Sequence, residues 1–246
     1  MFIDVTVGLD TIAGNANLTF IFFIAFVLEA MIAIRFGYYA ALNRRAGEVR
    51  TQSTLWRMLV GVGLTGGIYA VLGILDVVTS LSTPYRNAIL LAHVVLLAMA
   101  LRTLYHQAVP VSDGGDQAAR RTIDRRLWLV GAASILAVGA ATIHFGSGPI
   151  VFGLETATSV VFVAVGVNAG VTATTESRVQ GTVVDTLLRH LLPVLLFAAF
   201  VPMLTVATFA GLPLEVVLHV QVVFVIMAAT ALMTATIKLR QNLAGR

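Results

Sequence analysis

Seven apolar stretches alternate along the chain with short polar connections, and this pattern predicts an all-α bundle of seven transmembrane helices. The stretches cover approximately 18–41, 57–81, 87–107, 125–146, 149–171, 187–210 and 213–237. At a rise of about 1.5 Å per residue, each reaches across a hydrocarbon layer of roughly 30 Å. The fourth and fifth are divided only by the turn signals Gly146, Gly148 and Pro149. The whole chain, 1–246, reads as a single seven-helix domain.

The polar positions set the expected orientation. Of the sixteen lysines and arginines, all but Arg86 fall on one side of the seven-span pattern. Arg44, Arg45, Arg50 and Arg57 surround the first connection, and Arg102, Arg120, Arg121, Arg125 and Arg126 the third. Arg178 and Arg189 bracket the fifth, Lys238, Arg240 and Arg246 close the chain, and Arg35 lies in the nearer third of the first span. The positive-inside rule then puts the N-terminus outside and the C-terminus in the cytoplasm of a multi-pass protein of the cell membrane. Merging spans four and five would scramble this asymmetry.

The outside connections are short: Ser82 to Arg86, Gly146 to Pro149 and Gly211 to Pro213. The longest inside connection, VPVSDGGDQAARR, contains Pro110, Gly114 and Gly115 and has no apolar face, which predicts a mobile cytoplasmic linker.

Composition agrees with the pattern. Apolar residues make up 58% and charged residues 11% of the chain, and the mean hydropathy is +0.92, values that belong to a membrane protein. The basic balance does not point to nucleic acid, because topology accounts for the arginines. The lipid bilayer is the expected surrounding. With no cysteine in the chain, disulfides, thiolate nucleophiles and covalently attached c-type haem are excluded. The opening MFIDVTVGLD lacks the basic segment of a signal peptide, so the first span is expected to be retained. Only eight residues follow Lys238, so a sensory or structural role would act through a homo-oligomer or a partner membrane subunit.

Ranked by depth, the ionisable residues inside the spans form a layer in the expected outward half. Asp76, His93, His144, Glu155, Glu215 and His219 come from five spans, while Glu29 lies deeper, near the middle of the first. Glu215 and His219 are four apart and share a helix face. Tyr69 and Asp76 are seven apart and nearly aligned, as are Arg86 and His93. Exposing an ionised group to lipid at this depth is costly, which predicts that Asp76, His93, Glu155 and His219 point into a common cavity, with Arg86 pairing at least one acid.

Three chemistries fit these residue types. The leading one is transport or proton handling, with Glu29, Asp76, Glu155 and Glu215 carrying charge and His93 and His219 relaying protons. The second is a cofactor site. His93, His144 and His219 with Asp76 or Glu155 could ligate a divalent metal, or His93 and His219 could hold one haem b. A two-haem helix is disfavoured, because His93 and His106 differ by a turn of about 220°. The third is a hydrogen-bond network that only holds helices together.

The length, the seven spans and the outside N-terminus resemble the microbial rhodopsins over nearly the whole chain. Covalent retinal would require a lysine near the middle of the last helix, whereas the only lysine here is Lys238, in ATIKLRQ at its cytoplasmic end. The third span, RNAILLAHVVLLAMALRTLYH, also lacks the arginine–aspartate pattern of a rhodopsin counter-ion helix. Covalent retinal is therefore not expected. Seven-helix membrane metallohydrolases are similar in gathering three histidines and an aspartate, but the nearest local feature here is Glu215-x-x-x-His219. No soluble catalytic motif is visible.

Two further features concern packing. Gly61, Gly63, Gly66, Gly67 and Gly73 allow close helix approach along the second span. Pro193 and Pro202 are expected to bend the sixth unless neighbours satisfy the freed carbonyls.

Overall fold

The computed structural model describes residues 11–46, 53–81, 83–108, 114–146, 148–175 and 183–245. The opening MFIDVTVGLD, Arg50, Ser82, Pro110, Arg178 and Arg246, on which parts of the sequence reading rest, lie outside the described residues. Among the described residues, seven long helices carry nearly all the structure: α1 Ala16–Ala46, α2 Ser53–Val78, α3 Arg86–Ala108, α4 Gly114–Phe145, α5 Pro149–Thr175, α6 Val183–Val206 and α7 Leu214–Ala244. All seven are long and apolar enough to cross a bilayer, and the chain is a multi-pass membrane protein.

The helices alternate in direction, as cross-helix contacts establish. Gly37 meets Gly63 while Phe26 meets Gly73, so α1 and α2 run antiparallel. Gly166 packs on Ala98 and Gly170 on Leu101, so α3 and α5 run parallel. Asn15 bonds Glu215 at one end and Asn43 bonds the Leu239 carbonyl at the other, making α1 and α7 parallel. The bundle thus has an arginine-rich end, carrying Arg44, Arg45, Arg57, Arg102, Arg120 and Arg240, and an opposite end, which carries Arg86.

Helix α3 occupies the centre and packs against α2, α4, α5 and α6; α4 is peripheral and touches α3 and α5. In lipid the attraction between such helices comes from close packing rather than from expulsion of water. The α1–α2 crossing is an example: a Cβ added to Gly63 would fall 2.5 Å from Gly37 Cα and 2.8 Å from the Ala33 carbonyl oxygen. Only the absence of a side chain permits that approach.

One expectation needs correction. The connection before α4 is not a linker throughout, because helix begins at Gly114 and continues into the apolar span. The run from Ala118 to Arg126 is rich in alanine and arginine, both good helix formers, so α4 extends beyond its hydrophobic part. Helix α6 continues through Pro193 and Pro202 and gives way after Val206 to a short 3-10 turn, Ala207–Ala210. Near the end of α6, side chains from adjoining helices donate to the carbonyls of Val201 and of Pro202 itself. Gln221 Nε2 donates to Val201 O at 2.9 Å, and Thr156 Oγ1 donates to Pro202 O at 3.1 Å.

Both ends are tied by polar contacts. At the arginine-rich end, Arg102 Nε donates to Asp124, which also lies 3.0 Å from His106 Nε2, joining α3 to α4. Asn43 Nδ2 donates to Leu239 O at 3.0 Å, and Asn43 Oδ1 accepts from Asn242 at 2.7 Å. At the opposite end, Asn15 Oδ1 caps α1 by accepting from Leu18 N, and Thr19 Oγ1 accepts from Ile12 N at 2.8 Å. That second bond folds Ile12 over the cavity described next.

Candidate functional site

A cavity of about 370 Å³ opens within the Arg86 end of the bundle. Its walls come from α1, α2, α3, α5, α6 and α7, with Ile12 at the rim. Much of the lining is apolar, including Phe22, Phe26, Leu90, Phe152, Val217 and Val225. Tyr69, Asp76, Arg86, Asn87, Glu155, Thr205 and Gln221 supply the polar groups. A mainly apolar concavity with a few convergent polar side chains has the usual character of a small-molecule site.

Asp76 is the most heavily bonded acid there. Its Oδ1 accepts from Thr83 N at 3.0 Å and from Thr83 Oγ1 at 2.5 Å, and its Oδ2 lies 2.5 Å from Arg86 Nη1. These bonds fasten the connection between α2 and α3. The Arg86 guanidinium also lies 5.9 Å from the centroid of Phe26, within cation–π range. Phe26 in turn meets Tyr69 edge-on at 5.7 Å.

Glu155 is 2% exposed and lines the same cavity from α5. Among the described residues its carboxylate makes no hydrogen bond or ion pair, although it lies within electrostatic reach of the positive charge of Arg86. Tyr69 lies within electrostatic reach of Arg86, Glu29, Glu155 and Asp76 together. Glu29 is buried in α1 one turn beyond Phe26, away from the cavity mouth. The aligned pair Tyr69 and Asp76 therefore shares a wall with Arg86, and Glu29 stands behind it.

His93 is buried but does not line the cavity. It packs on Gly66, where an added Cβ would meet its Cε1 at 3.0 Å. Its Nδ1 lies 3.1 Å from Val62 O and 3.2 Å from Thr65 Oγ1. A carbonyl only accepts, so the bond to Val62 puts the proton on Nδ1 and leaves Nε2 with a lone pair. That buried Nε2 has no hydrogen-bond partner among the described residues.

The remaining candidates lie elsewhere. His219 is exposed, with Nδ1 donating to the Glu215 carbonyl of its own helix at 2.7 Å. Glu215 is exposed too and accepts from Asn15 Nδ2 at 3.1 Å. His144 is exposed beside Phe145. His93, His144 and His219 therefore do not converge. Among the described residues no three His, Asp or Glu side chains gather as a metal site requires. A haem held between inward-facing His93 and outward-facing His219 likewise has no common pocket. The expectation that His93 and His219 share the cavity with Asp76 and Glu155 is corrected for both histidines: helix rotation turns His219 outward, and the ring of His93, though buried, is seated against Gly66 outside the cavity lining.

Two lining residues, Asn87 and Gln221, had escaped the sequence reading. Gln221 Nε2 bonds Val201 O and, at 2.8 Å, Thr205 Oγ1, holding the end of α6 against α7. The available signal was a neutral amide inside an apolar span, which lipid disfavours as it does a charge, though less strongly. No protein family matches the sequence, and no curated protein matches it.

Proposed function

We propose that this protein is a small proton-coupled membrane transporter whose substrate site is the cavity at the Arg86 end. The observation that carries the reading is Glu155, a buried carboxylate without a bonded partner among the described residues, on the wall of a cavity that also holds the Asp76–Arg86 pair. An ionisable group inside a membrane is costly to keep and is by default functional. Glu29, within electrostatic reach of Tyr69, and His93 of α3, packed on Gly66 one turn from Tyr69 along α2, are further protonatable groups toward the arginine-rich end. The one-sided arginines support a cytoplasmic arginine-rich end, with the N-terminus and the cavity facing outward.

Reconstitution tests this directly. Liposomes holding the purified protein and a trapped pH dye are given an inside-negative potassium diffusion potential. Wild-type protein is expected to acidify the lumen faster than empty liposomes, and Glu155→Gln to abolish most of that excess. Equal rates for wild type and Glu155→Gln would remove Glu155 from the pathway and sink the reading.

A further inference from the structure

Three charged side chains line the cavity, and their pairing is unequal. Asp76 has one oxygen on Arg86 and the other on Thr83, while Arg86 is held by Asp76. Glu155 is left with no hydrogen bond or ion pair among the described residues, although it is almost fully buried and faces the cavity. With Asp76 and Arg86 cancelling, the ionised wall carries the negative charge of Glu155, and Glu29 behind Tyr69 can add to it. The site therefore calls for positive charge.

The remaining wall says what kind of cation suits it. Phe22, Phe26, Tyr69 and Phe152 surround the space, and aromatic faces attract cations through their quadrupoles. Phe26 already carries the Arg86 guanidinium at 5.9 Å. Leu90, Val217 and Val225 make much of the rest aliphatic. A bare inorganic cation prefers a closed shell of oxygen ligands, and among the described residues no three acidic or imidazole side chains gather to form one. At about 370 Å³, the space suits a molecule rather than a single ion.

We infer that the cavity binds a small organic cation, an alkyl- or arylammonium whose charged head lies against Glu155 and whose hydrocarbon part lies among the aromatic rings. The inference rests on reading the cavity as a substrate site, and it names the chemical class of that substrate.

Equilibrium binding to the full-length protein in detergent micelles tests it without any gradient. Titration calorimetry would compare choline and tetraethylammonium with two isosteres of choline, the neutral tert-butyl alcohol analogue and the tert-butylacetate anion, and with sodium chloride. Choline is expected to bind at least about tenfold more tightly than its neutral isostere, and Glu155→Gln to weaken choline by about tenfold or more, with Glu155→Asp retaining part of the affinity. Equal binding of choline and the neutral isostere, tighter binding of the anion or of sodium, or no binding by either organic cation would overturn the inference. If Glu155→Gln does not fold, the isostere ratio on the wild-type protein decides alone. Cation binding without flux in liposomes would uphold this inference while removing transport; proton flux without cation binding would do the reverse.

Discussion

Arg86 reaches back across the α2–α3 connection to Asp76, with Nη1 2.5 Å from Oδ2, and the two side chains border two cavities at once. One is the cavity lined by Glu155. The other, of about 510 Å³, lies toward the connections and is lined by Thr83, Pro84, Tyr85, Thr142 and Ile143. Together with Asn87, the ion pair is the lining common to both, so it is a partition as well as a tie between helices.

Removing one member should therefore cost more than removing both. Arg86→Gln leaves Asp76 with only its Thr83 donors. Because both side chains are partly exposed, the expected loss is about 1–3 kcal/mol, below the roughly 3–5 kcal/mol of a fully buried pair. The double variant Asp76→Asn with Arg86→Gln should recover part of that loss. Unfolding in mixed micelles measures all three, and a double variant less stable than Arg86→Gln alone would count against the pairing argument.

The α1–α2 crossing offers a test of packing that is independent of charge. Gly63→Ala would bring a methyl group to 2.5 Å from Gly37 Cα and N, where backbone rather than a movable side chain must yield. The expected loss is about 1–3 kcal/mol. At Gly139 the nearest atom to an added Cβ is Ala88 Cβ at 3.8 Å, so Gly139→Ala should change stability by no more than about 1 kcal/mol, in the stabilising direction. Similar melting temperatures for the two variants would contradict the crossing geometry.

Choline binding should weaken as pH falls. The cation needs the ionised form of Glu155, and taking up a proton removes the charge it binds, so the affinity is highest on the alkaline side. The other charged or titratable groups toward this wall are Tyr69 and Asp76 on α2, Arg86 on α3, and Glu29 on α1 behind Tyr69. Helices α6 and α7 present Thr205 and Gln221, which do not titrate. Calorimetric titrations from about pH 8 down through the ordinary glutamate pKa of about 4.3 should show the decline, and residual binding to Glu155→Gln should vary less over the same range.

Orientation is testable in a chain with no cysteines. Tyr85 and Gln241 are exposed near opposite ends of the bundle. In intact cells an impermeant thiol reagent should label Tyr85→Cys, and Gln241→Cys only after permeabilisation. The opposite pattern would put the Glu155 cavity on the cytoplasmic side and reverse the proposed direction of access.

Helix number and alternation were legible in the sequence because spanning a bilayer leaves a backbone few options: each apolar stretch must satisfy its own hydrogen bonds as a helix. Gly146, Gly148 and Pro149 marked the break between α4 and α5 for an equally local reason. Depth was legible too, since it follows from counting residues from a span end, and Asp76 and Glu155 do line one cavity. What counting could not supply was rotation. A step of one residue turns a helix by about 100°, and spans that are apolar on every side carry little signal for which face turns inward. On α7, Val217, Gln221 and Val225 recur every four residues and face the interior, while His219 stands about 200° from both Val217 and Gln221 and faces out. His93 is turned inward, but the bare backbone of Gly66 gives its ring a place between helices and away from the cavity. Composition and local pattern determined that this chain forms seven membrane helices with acids at similar depth. The tertiary packing decided which of those acids meet, because that depends on side chains from distant spans fitting against one another.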